Sequence, residues 1–174
     1  YMTLFRSGKL SATGVVVGPA PLAALMPDNA KSSLHGELAG LIMMAKCDDA
    51  VREAFDLPVT GPNTVACTDY QNAVNLAQTR DARPRPCPLV GTGAPMTAWL
   101  RELLKDRPHI QLEKVKAHTG ATDALSLFNE EADAAASNAH LHPRLVFPYP
   151  TFFLPAYAIH TGDAWYEGSI IELV

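Results

Sequence analysis

The chain has 174 residues, enough for one domain with a sizeable core, since ordinary domains run about 100–200 residues. Hydrophobic residues make up 48% and charged residues 18%, which excludes a disordered chain, and no apolar run reaches the ~18 residues of a membrane span. A formal net charge of −4 argues against indiscriminate nucleic-acid binding, although Arg80 to Lys116 holds eight Lys and Arg against four Asp and Glu, a stretch able to dock phosphates locally. Cys47, Cys67 and Cys87 are odd in number and form no CxxC pair, so they read as buried, reduced thiols of an intracellular protein, nuclear or cytoplasmic. Nothing at the start resembles a signal peptide, and the opening on Tyr1 suggests a domain excised from a longer protein.

In chain order, Thr13 to Val17 (TGVVV) predicts a short buried strand closed by Gly18-Pro19, and Pro27-Asp28-Asn29 marks a turn. Leu34, Leu38, Leu41, Ile42 and Ala45 recur at helical spacing after a Ser32 or Ser33 cap, and the helix persists to about Phe55 before Pro58. Thr64 to Thr68 (TVACT) predicts a strand buried on both faces, closed by Asp69, with a short helix over Asn72 to Gln78. Arg80 to Gly93 is a Pro/Gly/Arg loop. Met96, Trp99, Leu100, Leu103 and Leu104 form one apolar helical stripe that Pro108 ends. A strand over Ile110 to Val115, a turn at His118-Thr119-Gly120 and an Ala-rich helix from Asn129 to His140 follow. This alternation indicates a layered α/β domain over residues 1–140. Residues 141–174, rich in Pro and aromatics, read as an extended appendage packed on the same domain.

Three carboxylates stand at the edges of these elements. Glu37 lies early in the first helix beside its apolar stripe, Asp69 ends an apolar strand, and Asp133 sits one turn into the last helix among alanines. Each has an ordinary explanation, since acids favour helix N-termini and Asp forms turns. Converging carboxylates repel unless a hard cation neutralises them, and Mg²⁺ takes oxygen ligands. That is the electrostatic logic of metal-assisted phosphodiester cleavage. There is no GxGxxG or GxxxxGK loop, no zinc-like histidine cluster and no nucleophile elbow.

HGELAGLIMMA resembles the glutamate-bearing helix of ribonuclease H, ACTDYQNAV its aspartate strand end, and VKAHTG with NEEADAAAS its histidine loop and terminal aspartate helix. The closest likeness is to the ribonuclease H domains of fungal retrotransposon reverse transcriptases, which share the HGEL helix and an aromatic tail like GDAWYEGSI. The resemblance implies a mixed central sheet flanked by helices and cleavage of the RNA strand of an RNA–DNA hybrid. It makes Glu37, Asp69 and Asp133 ligands for Mg²⁺ or Mn²⁺ and gives His118 a part in proton transfer or product release. Gln71 and Asn72 would contact the hybrid, and Asn129 would face the same site as Asp133. Glu130 and Glu131 read as solvated first-turn acids. An adjoining reverse transcriptase domain is the implied partner, and a membrane is not.

One departure separates the chain from that family. The family's first strand carries Asp-Gly-Ser, whereas no Asp or Glu here precedes Asp28, and Arg6-Ser7-Gly8 stands where that motif is expected. Either the strand lies upstream of Tyr1, or Arg6 has replaced the Asp, and an arginine there would disfavour Mg²⁺. The alternative function is therefore a catalytically inactive ribonuclease H-like module that binds nucleic acid or a protein. A third reading is a small-molecule α/β domain with incidental motif matches.

Overall fold

The structure is a computed structural model and describes residues 2–6, 12–17, 20–26, 33–58, 63–78, 94–116, 124–139, 141, 146, 160–161 and 164–165. The expected 80–93 loop, the His118 turn, Cys87 and most of the aromatic appendage lie outside the described residues.

Backbone groups left unpaired in a core are costly, so buried strands pair. Five strands are paired here: β1 (Met2–Arg6), β2 (Ala12–Val17), β3 (Ala20–Leu25), β4 (Thr64–Thr68) and β5 (Ile110–Lys114). They form one sheet in the order β3-β2-β1-β4-β5. The first three run antiparallel, with Val17 opposite Ala20 across a two-residue link. β1 and β4, and β4 and β5, are parallel and need crossovers. These are supplied by α1 (Ser33–Ala54) for the first, and by α2 (Gln71–Gln78) and α3 (Ala94–Lys105) for the second. α4 (Ala124–Ala139) follows β5 and packs on β1, β2 and β3. A separate hairpin pairs β6 (His160–Thr161) with β7 (Ala164–Trp165), and Val146 makes an isolated parallel bridge to Leu25.

Successive strand residues face opposite sides of a sheet, and β4 divides the helices accordingly. Ala66 joins Leu38, Leu41, Met44, Met96 and Leu100 in the main core under α1, α2 and α3. Cys67 packs on the other side against Ala132 of α4, with Val115 alongside. The sheet is thus a middle layer between two helical layers. α1 stops where Asp56 takes a left-handed conformation, φ 51°, and Leu57 N–H returns to the Arg52 carbonyl at 2.8 Å, closing the helix end.

Four sequence expectations change. Met2–Arg6 forms a strand of the sheet, between β2 and β4, in the stretch where the sequence suggested only a replaced motif. TVACT is fully buried only from Ala66 onward: Thr64 is half-buried under Asp48 and Arg52 of α1, and Val65, pointing to the opposite face, is exposed. Cys47 is half-buried, not buried like Cys67. The last helix begins at Ala124, five residues before Asn129, so Glu130 and Glu131 are not first-turn acids. The early start escaped the pattern because Leu125, Leu127 and Phe128 are exposed and do not extend the buried stripe of Asn129, Ala132, Ala136 and Ala139.

Candidate functional site

The site begins at the C-terminal end of β4. Thr68 is the last residue of the strand, fully buried, and its hydroxyl donates to Glu37 Oε2 at 2.6 Å. Glu37 projects from the second turn of α1 and is 3% exposed, so it is a buried acid and not a solvated helix-start one. A buried carboxylate needs hydrogen bonds to offset lost hydration, and the Thr68 hydroxyl is one. The same hydroxyl oxygen accepts the Tyr70 N–H at 3.2 Å, so the turn after the strand is tied to the hydroxyl that holds the acid.

Asp69 lies between those two residues, half-buried at the bend where β4 ends. Asp133 lies on α4, the helix on the other face of the sheet. Its neighbour Ala132 packs on Cys67, two residues before Asp69, and Asp133 itself is half-buried. Glu37 is thus bonded to the end of β4 from the α1 side, while α4, the helix that carries Asp133, packs on the opposite face of that strand through Ala132. The donor set is all oxygen, which suits a hard divalent ion. It is not closed: among the described residues no three His, Cys, Asp or Glu side chains are gathered tightly enough to hold a metal ion.

The remaining expected residues divide. Gln71 and Asn72 are exposed at the head of α2, where Gln71 Nε2 donates to Asn75 Oδ1 at 2.9 Å. Asn129 is 1% exposed, on the α4 face turned to the sheet and one turn before Asp133. His118 lies outside the described residues. β1 enters the site's layer without a carboxylate, its sequence being MTLFR. Thr3 pairs with Thr68, so one step further along that register Leu4, not Arg6, comes level with Asp69.

Two features escaped the sequence reading. Thr68 looked like any β-former in TVACT, and only the fold brings Glu37 to it. At the other end of α1, Asp48 Oδ2 accepts Arg52 Nε and meets His109 Nε2, both at 2.8 Å, while Thr64 Oγ1 donates to Asp48 Oδ1 at 2.6 Å. Burial pushes the Asp48 carboxyl up, but the bonds from Thr64, Arg52 and His109 prevail and hold it below the usual carboxylate range. The i, i+4 spacing of Asp48 and Arg52 was the available signal. Beside them Arg107 clamps both oxygens of Asp49, at 2.6 and 2.7 Å, which raises the guanidinium's already high pKa.

This sheet order, with helices on both faces, is the ribonuclease H-like fold. The chain is similar to LC11-RNase H1, isolated from compost by a metagenomic approach, at a TM-score of 0.56 and 15% identity over 79% of this chain and 91% of that one. It is similar also to the prototype foamy virus protease-reverse transcriptase, at a TM-score of 0.54 and 15% identity, covering 78% of this chain but only 19% of the viral one. No protein-family model and no curated protein matches the sequence. Among the described residues no helix is long and apolar enough to cross a membrane.

Proposed function

We propose that this chain is a ribonuclease H of retroelement type, a metal-dependent endoribonuclease acting on the RNA strand of RNA–DNA hybrids. The observation that carries this reading is the 2.6 Å bond by which Thr68 holds buried Glu37 at the strand end from which Asp69 emerges. In this reading Glu37, Asp69 and Asp133 hold Mg²⁺ or Mn²⁺. The bound cation would supply charge neutralisation for a phosphate under attack. Asp69 and Asp133, half-buried, face the hybrid and bring the cation to it, while Glu37 anchors the set from within. Gln71 and Asn72 contact the hybrid backbone from the head of α2, Asn129 backs Asp133, and His118 moves a proton or helps product leave. Hybrid is selected by minor-groove shape and 2′-hydroxyls, not by base identity.

The fungal retrotransposon likeness of HGEL and the tail supports the retroelement assignment, as does the viral neighbour, whose name joins a protease to a reverse transcriptase. An adjoining reverse transcriptase domain is the partner this implies. Residues 1–140 form the ribonuclease H-like domain in this reading and 141–174 its appendage, with the Leu25–Val146 bridge in support. The test is Mg²⁺-dependent cleavage of a labelled hybrid. Asp69→Asn is expected to slow it on the order of a hundredfold or more, as for other groups that stabilise transition-state charge. Cleavage unchanged by that substitution refutes the site.

A second reading has its own observation. β1 carries no carboxylate and the described acids form no closed three-donor cage, which favours an inactive module that binds hybrid or protein. Manganese stoichiometry separates the two: an active centre takes up two ions at millimolar concentration, and an inactive module takes one weakly or none.

A further inference from the structure

We infer that Thr68 is a positioning residue for Glu37, an inference that rests on the reading of Glu37 as a cation ligand. A threonine hydroxyl has one proton to give. At Thr68 the Tyr70 N–H occupies an acceptor position on Oγ1 at 3.2 Å, and the proton is directed to Glu37 Oε2 at 2.6 Å. That distance lies in the range of charge-assisted O–H···O⁻ bonds, about 2.5–2.7 Å. The side chain has little freedom to do otherwise: it is β-branched, 0% exposed and fixed at the end of a paired strand. The parallel register continues through it, with Thr68 opposite both Thr3 and Lys114, and its carbonyl accepts the Val115 N–H at 3.0 Å.

A glutamate on a helix would otherwise sample several rotamers. Burial already narrows that choice for Glu37, and the bond to Thr68 orients Oε2 toward the residue that precedes Asp69. The Tyr70 N–H ties the same hydroxyl to the turn that carries Asp69, so one threonine fixes the relative placement of acids from α1 and from the end of β4. Ligands held in place bind a cation without ordering cost at the moment of binding. The hydroxyl should therefore be read in cation affinity, and a residue that merely fills space should not.

The experiment compares Thr68→Val, which keeps the shape and loses the hydroxyl, with Thr68→Ser, which keeps the hydroxyl. Thr68→Ala replaces the valine variant if that one fails to fold, judged by circular dichroism and thermal melting. Mn²⁺ binding is followed by the loss of the free-ion electron paramagnetic resonance signal, with hybrid cleavage measured across Mg²⁺ concentrations in parallel. Expected is a roughly tenfold weaker Mn²⁺ affinity for the folded variant without the hydroxyl, the scale of one lost hydrogen bond to a charged group. The serine variant should stay within about threefold of the parent. Cleavage by the hydroxyl-less variant should recover as Mg²⁺ is raised. Parent-like Mn²⁺ affinity in a folded variant without the hydroxyl overturns this inference and leaves the function standing. A parent chain that binds no Mn²⁺ and cleaves no hybrid overturns the function and this inference together.

Discussion

In the second turn of α4, Asn129 is 1% exposed, and among the described residues neither Oδ1 nor Nδ2 has a hydrogen-bond partner. A buried amide with no partner costs about 1–3 kcal/mol on mutational scales, and replacing it with an apolar group of similar shape removes that cost. Asn129→Leu should therefore raise unfolding stability by about 1–3 kcal/mol in urea titration and, if the amide serves the hybrid, weaken hybrid binding. A stability loss instead would mean that a buried water already satisfies the amide. The sequence named this residue through its place one turn before Asp133. It could not report the burial, because polar Asn looks the same in letters on either face of an Ala-rich helix. Thr68 was hidden for the same reason: its role exists only once α1 lies over β4.

At the scale of elements, α1 is tethered at both ends, to Thr68 through Glu37 and to the starts of β4 and β5 through Asp48 and Arg52. Arg52 Nη1 also donates to the Pro58 carbonyl at 2.9 Å, and the Thr64 N–H donates to the His109 carbonyl at 2.9 Å. Removing one partner of a buried ion pair strands the other, so Asp48→Asn should cost about 3–5 kcal/mol in chemical denaturation. The pH dependence follows from the sign of the shift. A carboxyl held below its unfolded value contributes stability that is present above that value, near pH 4, and is lost as pH falls through the folded value. Acid titration of stability should therefore flatten at its low-pH end in Asp48→Asn relative to the parent. Most of these elements were legible because apolar residues repeat at helical spacing or run unbroken, as in α1, α3 and β4. β1 and β3 were not. MTLFR, as long as TVACT, has one β-branched residue against three, and APLAAL has alanines and a proline in place of β-branched alternation, tolerated because β3 is an edge strand.

Over the whole molecule, charge is divided more sharply than the total of −4 suggests. Arg80 to Lys116 carries eight of the 14 basic residues and only four of the 18 acids. Within that span Arg101 and Arg107 are committed to the fold, since Arg101 Nε donates to the Leu76 carbonyl at 2.7 Å and Arg107 clamps Asp49. If the proposed function holds, Lys114 and Lys116, exposed at or just past the end of β5, and Arg80, Arg83 and Arg85, by sequence and charge alone, would be the phosphate partners. An acidic body should repel a nucleic acid elsewhere, so docking would depend on this basic span and would weaken steeply as salt rises. Each phosphate contact adds about 0.9 to the slope of log affinity against log salt for a B-form duplex, and a hybrid should behave similarly. Replacing Arg83 and Arg85 together by alanine should flatten the slope by roughly 1.8. Fluorescence anisotropy of a labelled hybrid at several salt concentrations measures it. An unaltered slope would remove Arg83 and Arg85 from the phosphate contacts, and an unaltered slope with Lys114 and Lys116 also replaced would remove the basic span as a whole.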